Sequence, residues 1–435
     1  MRASFWCLVL WILWLTGCAR VPAKRAGSPG LGHWEVLATL SGTNGSRPFG
    51  DLLWKNGDWF GTTSAGGEQG CGTVFKIEQN GRFLTLVHFR KDQGREPFGF
   101  LCTGGDLIYG ATKFGGIHDR GALFRVRVDG SQFAVLHSFG EPRSAGSGPH
   151  NGPILYEGHL YGTTFHGGPN LWDGGVYAFD LATRRFTWLA SLGPNLGRHP
   201  TGALLLHEGW LYGTASDYER DAKGDYGTVF RLRPDGSGME LVHRFGPGGH
   251  PYDRLAPGPG GWLYGTTHGA FTKAEEHGTV FRLHPKTKRV ETVIDFTQLG
   301  PRQGSKPNGS VTFSADGRFF FGATHGNIPR GGDRPGTLFA FDLERRRSHV
   351  LHVFDGGQNG DVPMRTPVLV GNCLYGMTAY GGLPGETFPN GHGLVYAFRL
   401  PDLRSLPGIP VGEAVSLVSV HQVRECAALT ISPRW

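Results

Sequence analysis

Three histidines and one aspartate recur at nearly the same place in successive stretches of the chain. His268 and His325 each directly follow a Gly-small-Thr step, and His166 and Asp217 sit one residue further along in theirs. Imidazole and carboxylate are ligands for Zn²⁺ and other divalent transition ions. Gathered at one point, the four would suit a metal-assisted hydrolase or lyase. Their spacing has neither the i, i+4 pattern of HExxH nor an HxH pair. The competing assignment is packing histidines at the bases of loops. A divalent metal at His166, Asp217, His268 and His325 is therefore the one cofactor the sequence admits; otherwise none is expected.

A second group suits binding rather than catalysis. Trp172, Tyr218, Tyr226, Phe271, Tyr380 and Phe388 fall in long, Gly-rich connections. Exposed rings there can stack on sugars or anchor a protein partner; folded back, each would only cover its own unit. Trp210 and Trp262 occupy the opposite end of their units and read as structural, as do His88, His137, His243 and His352, whose recurrence suggests a structural hydrogen bond. The sequence contains no Gly-x-Ser-x-Gly elbow, phosphate loop or dinucleotide fingerprint.

These residues hang on a seven-fold repeat. An aromatic-Gly-small-Thr step appears at Phe60-Gly61-Thr62-Thr63, Tyr109-Gly110-Ala111-Thr112, Tyr161-Gly162-Thr163-Thr164, Tyr212-Gly213-Thr214-Ala215, Tyr264-Gly265-Thr266-Thr267, Phe321-Gly322-Ala323-Thr324 and Tyr375-Gly376-Met377-Thr378, with Ala215 replacing the last Thr in the fourth copy. Downstream of each comes a Gly-small-apolar-aromatic segment such as Gly72-Thr73-Val74-Phe75 or Gly227-Thr228-Val229-Phe230. Short turns such as Asn56-Gly57, Asp129-Gly130 and Asp235-Gly236 separate the remaining apolar runs. Four short β-branched or aromatic runs per unit read as four strands. Seven such units predict an all-β, seven-bladed β-propeller. The last unit stops after Val395-Tyr396-Ala397-Phe398, whereas Trp34–Leu40 reads as a fourth strand preceding the first unit. The N-terminal strand is thus expected to complete the seventh blade and close the ring.

Over roughly residues 48–400 the repeat resembles the GloVer-type tandem repeat of envelope proteins with variable anchors. That resemblance implies an envelope or surface location and brings no established activity. Kelch repeats share the length and the Gly-Gly doublet, present here at Gly66-Gly67, Gly115-Gly116, Gly167-Gly168 and Gly381-Gly382, but not the later Tyr and Trp positions.

Outside the repeat, residues 1–18 read as a lipoprotein-type signal peptide. Phe5 to Leu15 form an apolar core too short to span a bilayer, and Leu15-Thr16-Gly17-Cys18 resembles a bacterial lipobox, which implies lipidation of Cys18. An ordinary signal peptide or short anchor is the competing reading. Ala19 in place of Asp favours outer-membrane sorting. Residues 19–32 form a flexible tether, 33–400 the propeller, and 401–435 a tail of uncertain structure in which Ala414 to Val420 could add a strand. Cys71, Cys102, Cys373 and Cys426 allow three pairings or remain thiols; a Cys373–Cys426 link would tie tail to blade.

The formal net charge is +7, with basic residues scattered apart from Arg345-Arg346-Arg347. Scattered charge argues against a nucleic-acid partner. The long connections between second and third strands and between units should emerge on one face, the usual place for a binding site. The expectation is a monomeric, lipid-anchored envelope propeller binding a polysaccharide or envelope protein there.

Overall fold

The computed structural model describes residues 32–141, 146–169, 171–216, 227–246, 248–269, 277–326, 334–385, 389–405 and 408–411. Seven antiparallel sheets form a ring, a seven-bladed β-propeller. The first blade sets the pattern: inner strand Leu53–Lys55, second strand Asp58–Thr63, third strand Thr73–Ile77 and outer strand Phe83–His88. Asn56 and Gly57 both take positive φ (53° and 91°), the two-residue hairpin turn that matches strand twist.

The pairing of second and third strands explains the repeat's two motifs together. Each motif Gly lies directly opposite the third-strand aromatic: Gly61 opposite Phe75, Gly265 opposite Phe281, Gly322 opposite Phe339 and Gly376 opposite Tyr396. The aromatic ring lies across the glycine, so a Cβ at Gly265 would stand 2.5 Å from Phe281 Cζ. The motif threonines are likewise paired across these strands: Thr63 with Thr73 (2.8 Å), Thr267 with Thr279 (2.9 Å) and Thr324 with Thr337 (2.9 Å). Where Ala215 breaks the series, Thr228 instead donates to the Leu196 carbonyl (2.7 Å).

The register between third and outer strands shifts by one residue in all seven blades. The extra residue is always Leu or Val: Leu37, Leu86, Leu136, Leu189, Val242, Val293 or Leu351. This bulge sharpens the twist and sends an aliphatic side chain toward the neighbouring blade. Seven hydrophobic clusters result, one between each adjacent pair of blades. The cluster joining the last blade to the first contains Met377, Val395, Trp59 and Phe75, with Leu37 packed against it.

The ring closes as the sequence predicts. His33–Thr39 pairs with Leu394–Arg399 of the seventh blade, Trp34 opposite Phe398 and Val36 opposite Tyr396. Trp34 stacks on His352 of the sixth blade (3.9 Å, 2° between planes) and on Tyr396 (4.7 Å). His137 stacks on Phe186 in the same way (4.3 Å). Two of the recurring outer-strand histidines, His137 and His352, are thus flat inter-blade spacers, His352 with a backbone hydrogen bond at Asn359 besides, whereas His243 meets Phe245 of its own blade edge-on (4.7 Å). His88 lies one place later than the others and instead accepts a hydrogen bond from the Glu68 amide (3.2 Å).

Part of the tail reaches back to the sixth blade. Ile409–Pro410 pairs with Arg347 and Ser348 at its outer edge. Arg345 and Arg347 donate to the carbonyls of Arg404 (2.7 Å) and Gly408 (3.1 Å), so two members of the basic run hold the tail. Cys71, Cys102 and Cys373 are unpaired among the described residues. Cys18, Cys426 and the strand suggested for Ala414 to Val420 lie outside them.

Candidate functional site: the rim and floor of the channel

A proline of the repeat stands five residues before the start of each inner strand: Pro48, Pro97, Pro149, Pro200, Pro251, Pro307 and Pro363. The carbonyl of the residue before that proline accepts a hydrogen bond from the amide just past the second-strand Thr step. These bonds join Ser64 to Arg47 (3.0 Å), Phe165 to Gly148 (3.1 Å), Ser216 to His199 (3.3 Å), His268 to His250 (2.9 Å) and His325 to Lys306 (3.0 Å). The loops between units and the second-to-third connections thus meet on one face, as expected from their lengths, and form a rim around the channel. Five rim residues, Arg47, Glu96, His199, Lys306 and Val362, hold φ between 53° and 58°. Left-handed backbone is uncommon for non-glycine residues, and positions before proline favour extended backbone. Other left-handed non-glycine residues, such as Asn56 and Glu157, sit in turns; recurrence of such strain at one equivalent place around the channel makes this ring a candidate site.

Below the rim the channel is filled by polar side chains from distant blades. Arg365 of the seventh blade donates to the carbonyls of Phe49 (2.8 Å) and Phe98 (3.4 Å) and pairs with Asp253 of the fifth (3.4 Å). Arg254 pairs with Asp51 of the first (3.5 Å). Asn151 accepts from the Phe100 amide (3.2 Å) and donates to the Thr201 carbonyl (3.2 Å). Burial, reinforced by Asp253, raises the Asp51 pKa to about 6 against the opposing pull of Arg254 and Arg365. This floor is a structural knot tying blades one, two, three, four, five and seven.

The rim itself carries an arc of rings. Phe49 meets Phe98 (4.9 Å), and Phe98 meets His150 (6.1 Å). His150 stacks on Phe165 (4.3 Å, 13°), whose other neighbour is His199 (4.5 Å, 23°). His166 abuts His199 (5.6 Å) and meets Trp172 edge-to-face (5.4 Å). Trp172 is 62% exposed, the most accessible large ring described on the protein. Across the channel, Tyr252, His268 and His325 form a second group (6.1 and 5.9 Å). Burial, with nearby positive charge, holds the pKa of His150 and His268 well below the usual imidazole value, and burial lowers His325 too. Neutral imidazoles offer one donor and one acceptor each, a set suited to hydroxyl groups.

The structure separates the three described residues among the four considered as metal ligands. His268 and His325 adjoin each other, while His166 belongs to the Phe165 arc; Asp217 lies outside the described residues. Among those described, no group of three or more His, Cys, Asp or Glu is placed to hold a metal ion. Of the loop aromatics, Trp172 stands on the rim. Tyr380 is half-buried, packed with Val362, Met364 and Ala379 and capped by Arg47 (5.5 Å). Tyr218, Tyr226, Phe271 and Phe388 lie outside the described residues. Trp210 sits between the guanidinium groups of Arg231 (4.3 Å) and Arg233 (3.8 Å), and Trp262 faces Arg282 (4.3 Å), both packing roles. Sequence reasoning missed His150, Phe165, His199, Lys113 and Lys306. Aligning the units on their shared proline would have exposed them, because those columns vary while the frame does not.

No helix of the described residues is long and apolar enough to cross a membrane. Comparison with curated protein sequences finds no match. Among solved structures, the chain is similar to an oligogalacturonate lyase from Vibrio parahaemolyticus (TM-score 0.54, 10% identity, covering 85% of this chain and 94% of that one). It is also similar to the GH74 xyloglucanase from Xanthomonas campestris (TM-score 0.53, 14% identity, covering 80% of this chain and 53% of that one). At such identity the likeness is one of fold. The Gloeobacter/Verrucomicrobia repeat matches residues 27–171 and 157–388, the stretch that builds the blades, and the chain belongs to that repeat family.

Proposed function

We propose that the protein is a lipid-anchored component of a bacterial envelope that binds a polysaccharide across the rim of its channel. The observation that carries this reading is the arc from Phe49 to Trp172: clustered rings and imidazoles ending in an exposed indole. Pyranose rings present an apolar face and hydroxyl edges, and such a surface complements both. The two similar propellers named above act, by their names, on oligogalacturonate and xyloglucan, so the fold accommodates sites for sugar polymers. The same arc would accept a protein loop, and binding of an envelope protein without glycan affinity would favour that partner. An enzyme using the rim histidines remains the alternative, favoured by any glycan turnover or metal uptake in purified protein. Attachment through Cys18 follows from the lipobox-like segment, and Cys18→Ala should release the protein from the membrane fraction or leave the precursor uncut.

The test is Trp172→Ala. Removing a stacked ring from a binding site costs on the order of tenfold in affinity, while an exposed indole contributes little to folding. Glycan affinity should fall with the melting temperature unchanged; intact affinity would overturn the assignment of the arc.

A further inference from the structure

Two lysines at the rim form no ion pair among the described residues. Lys113 stands just past the Thr step of the second blade, and Lys306 precedes the inner-strand proline of the sixth; both are half-buried. Lys113 Nζ lies over the rings of Phe98 (5.6 Å) and Phe114 (5.1 Å). Glu96, the acidic group nearest Lys113 in effect, pairs with Arg95 (3.5 Å). Lys113 and Arg365 act together on His150, and Lys306 acts on His268 and His325. Three well-shielded cations elsewhere are paired: Lys76 with Asp58 (2.8 Å), Arg318 with Asp342 (2.8 Å) and Arg282 with Glu291 (2.6 Å). An unpaired ammonium that loses hydration destabilises the fold, and burial indeed lowers the pKa of both lysines. Lys306 carries a second cost, its left-handed backbone (φ 57°), at a position where the third blade has Gly148. Folding alone accounts for neither choice.

We infer that the polysaccharide held at the rim is acidic, its carboxylates seated on Lys113 and Lys306 from opposite sides of the channel while the rings and imidazoles between them take the sugar bodies. This inference rests on the glycan reading above and sharpens it to a substrate class. The neighbouring histidines, kept neutral by burial, leave the lysines as the charges that select the ligand.

The experiment compares polygalacturonic acid with its fully methyl-esterified form, which differs in charge but not in sugar. Binding is measured calorimetrically for the full-length protein and for Lys113→Gln, Lys306→Gln, the double variant and Lys306→Gly, each checked by thermal melting. The acid form should bind at least tenfold more tightly than the ester. Each Gln variant should lose about fivefold for the acid form and nothing for the ester, and 0.5 M salt should shrink the preference. Lys306→Gly should lose affinity like Lys306→Gln while melting no lower than the parent, because it relieves the left-handed strain. Equal binding of the two polymers would overturn the acidic class and leave the glycan reading standing. Binding of neither would overturn both. A preference that survives the double variant would overturn the role of these lysines.

Discussion

The fold's most repeated contact predicts its most informative mutation, Gly265→Ala. An added Cβ would lie 2.5 Å from Phe281 Cζ, 2.7 Å from Leu255 Cδ2 and 2.9 Å from Phe281 Cε1. Carbon atoms rest at about 3.5–4.0 Å, so the ring must retreat by roughly 1 Å. It has nowhere to go: Phe281 is buried among Tyr212, Val229, Leu263 and Leu283 at the interface of the fourth and fifth blades. Overpacking of this kind costs about 1–3 kcal/mol and occasionally more. At roughly 2–4 °C per kcal/mol for a domain of this order of size, the melting temperature should drop by several degrees. Phe281→Leu shortens the offending ring, so the double variant should be more stable than the sum of the single effects by at least ~0.5 kcal/mol. Gly246→Ala is the control: nothing lies within 4 Å of its Cβ position, and its effect should stay within about 0.5 kcal/mol. Denaturant unfolding of all four variants gives the cycle. A neutral Gly265→Ala, or additivity with Phe281→Leu, would refute the claim that the ring-on-glycine contact explains the repeat.

Three further outcomes follow from the same coordinates. Trp34→Ala removes the stack on His352 and Tyr396 that seals the ring; for a half-buried indole about 2 kcal/mol is expected, with a rise in aggregation as the seventh blade's edge opens, and an unchanged melt would count against closure as the limiting contact. Arg365→Ala strands the buried Asp253 carboxylate and should cost about 3–5 kcal/mol, whereas Arg365→Met with Asp253→Leu should cost much less; equal losses would show the floor acts by packing alone. Stability should fall between pH 6.5 and about 4: burial lowers the pKa of His137 and His352 to about 4, so the unfolded chain binds protons first and the stability held above pH 6.5 is lost on acidification. Asp51, raised to about 6, works in the opposite sense, since its burial penalty is relieved below that pH, but it is one group against two; a melting temperature that rises from pH 7 to pH 5 would reverse this weighting.

The frame was readable because it repeats. Gly opposite an aromatic ring and a Leu or Val at the outer-strand bulge obey one geometric demand seven times over, and Thr stands opposite Thr in three blades, so the strand count, the blade length and the donated strand at Trp34 all show in one sequence. The floor was not readable. Asp51, Asn151, Asp253 and Arg365 each appear once, in units separated by up to 316 positions between Arg365 and Phe49, and only ring closure makes them neighbours. The histidines lay between these extremes. The repeat placed His268 and His325 side by side, but His166, one residue further along its loop, turns into the Phe165 arc, and a one-residue offset at a strand end is enough to change which ring a side chain meets.

The contrast between frame and rim bears on function. The position before the inner-strand proline holds Arg47, Glu96, Gly148, His199, His250, Lys306 and Val362, six residue types at one equivalent place, all but His250 in left-handed backbone. If the fold chose these residues, glycine would recur, because five of the seven positions hold non-glycine residues in left-handed backbone. It occurs once. Each of the other five strained positions forgoes on the order of 1 kcal/mol; Val362 and His199 are buried there, while Arg47, Glu96 and Lys306 bring charge to the channel mouth. Packing accounts for Val362 and for Arg47 over Tyr380; at Lys306 a site that selects among ligands gives the strain its reason.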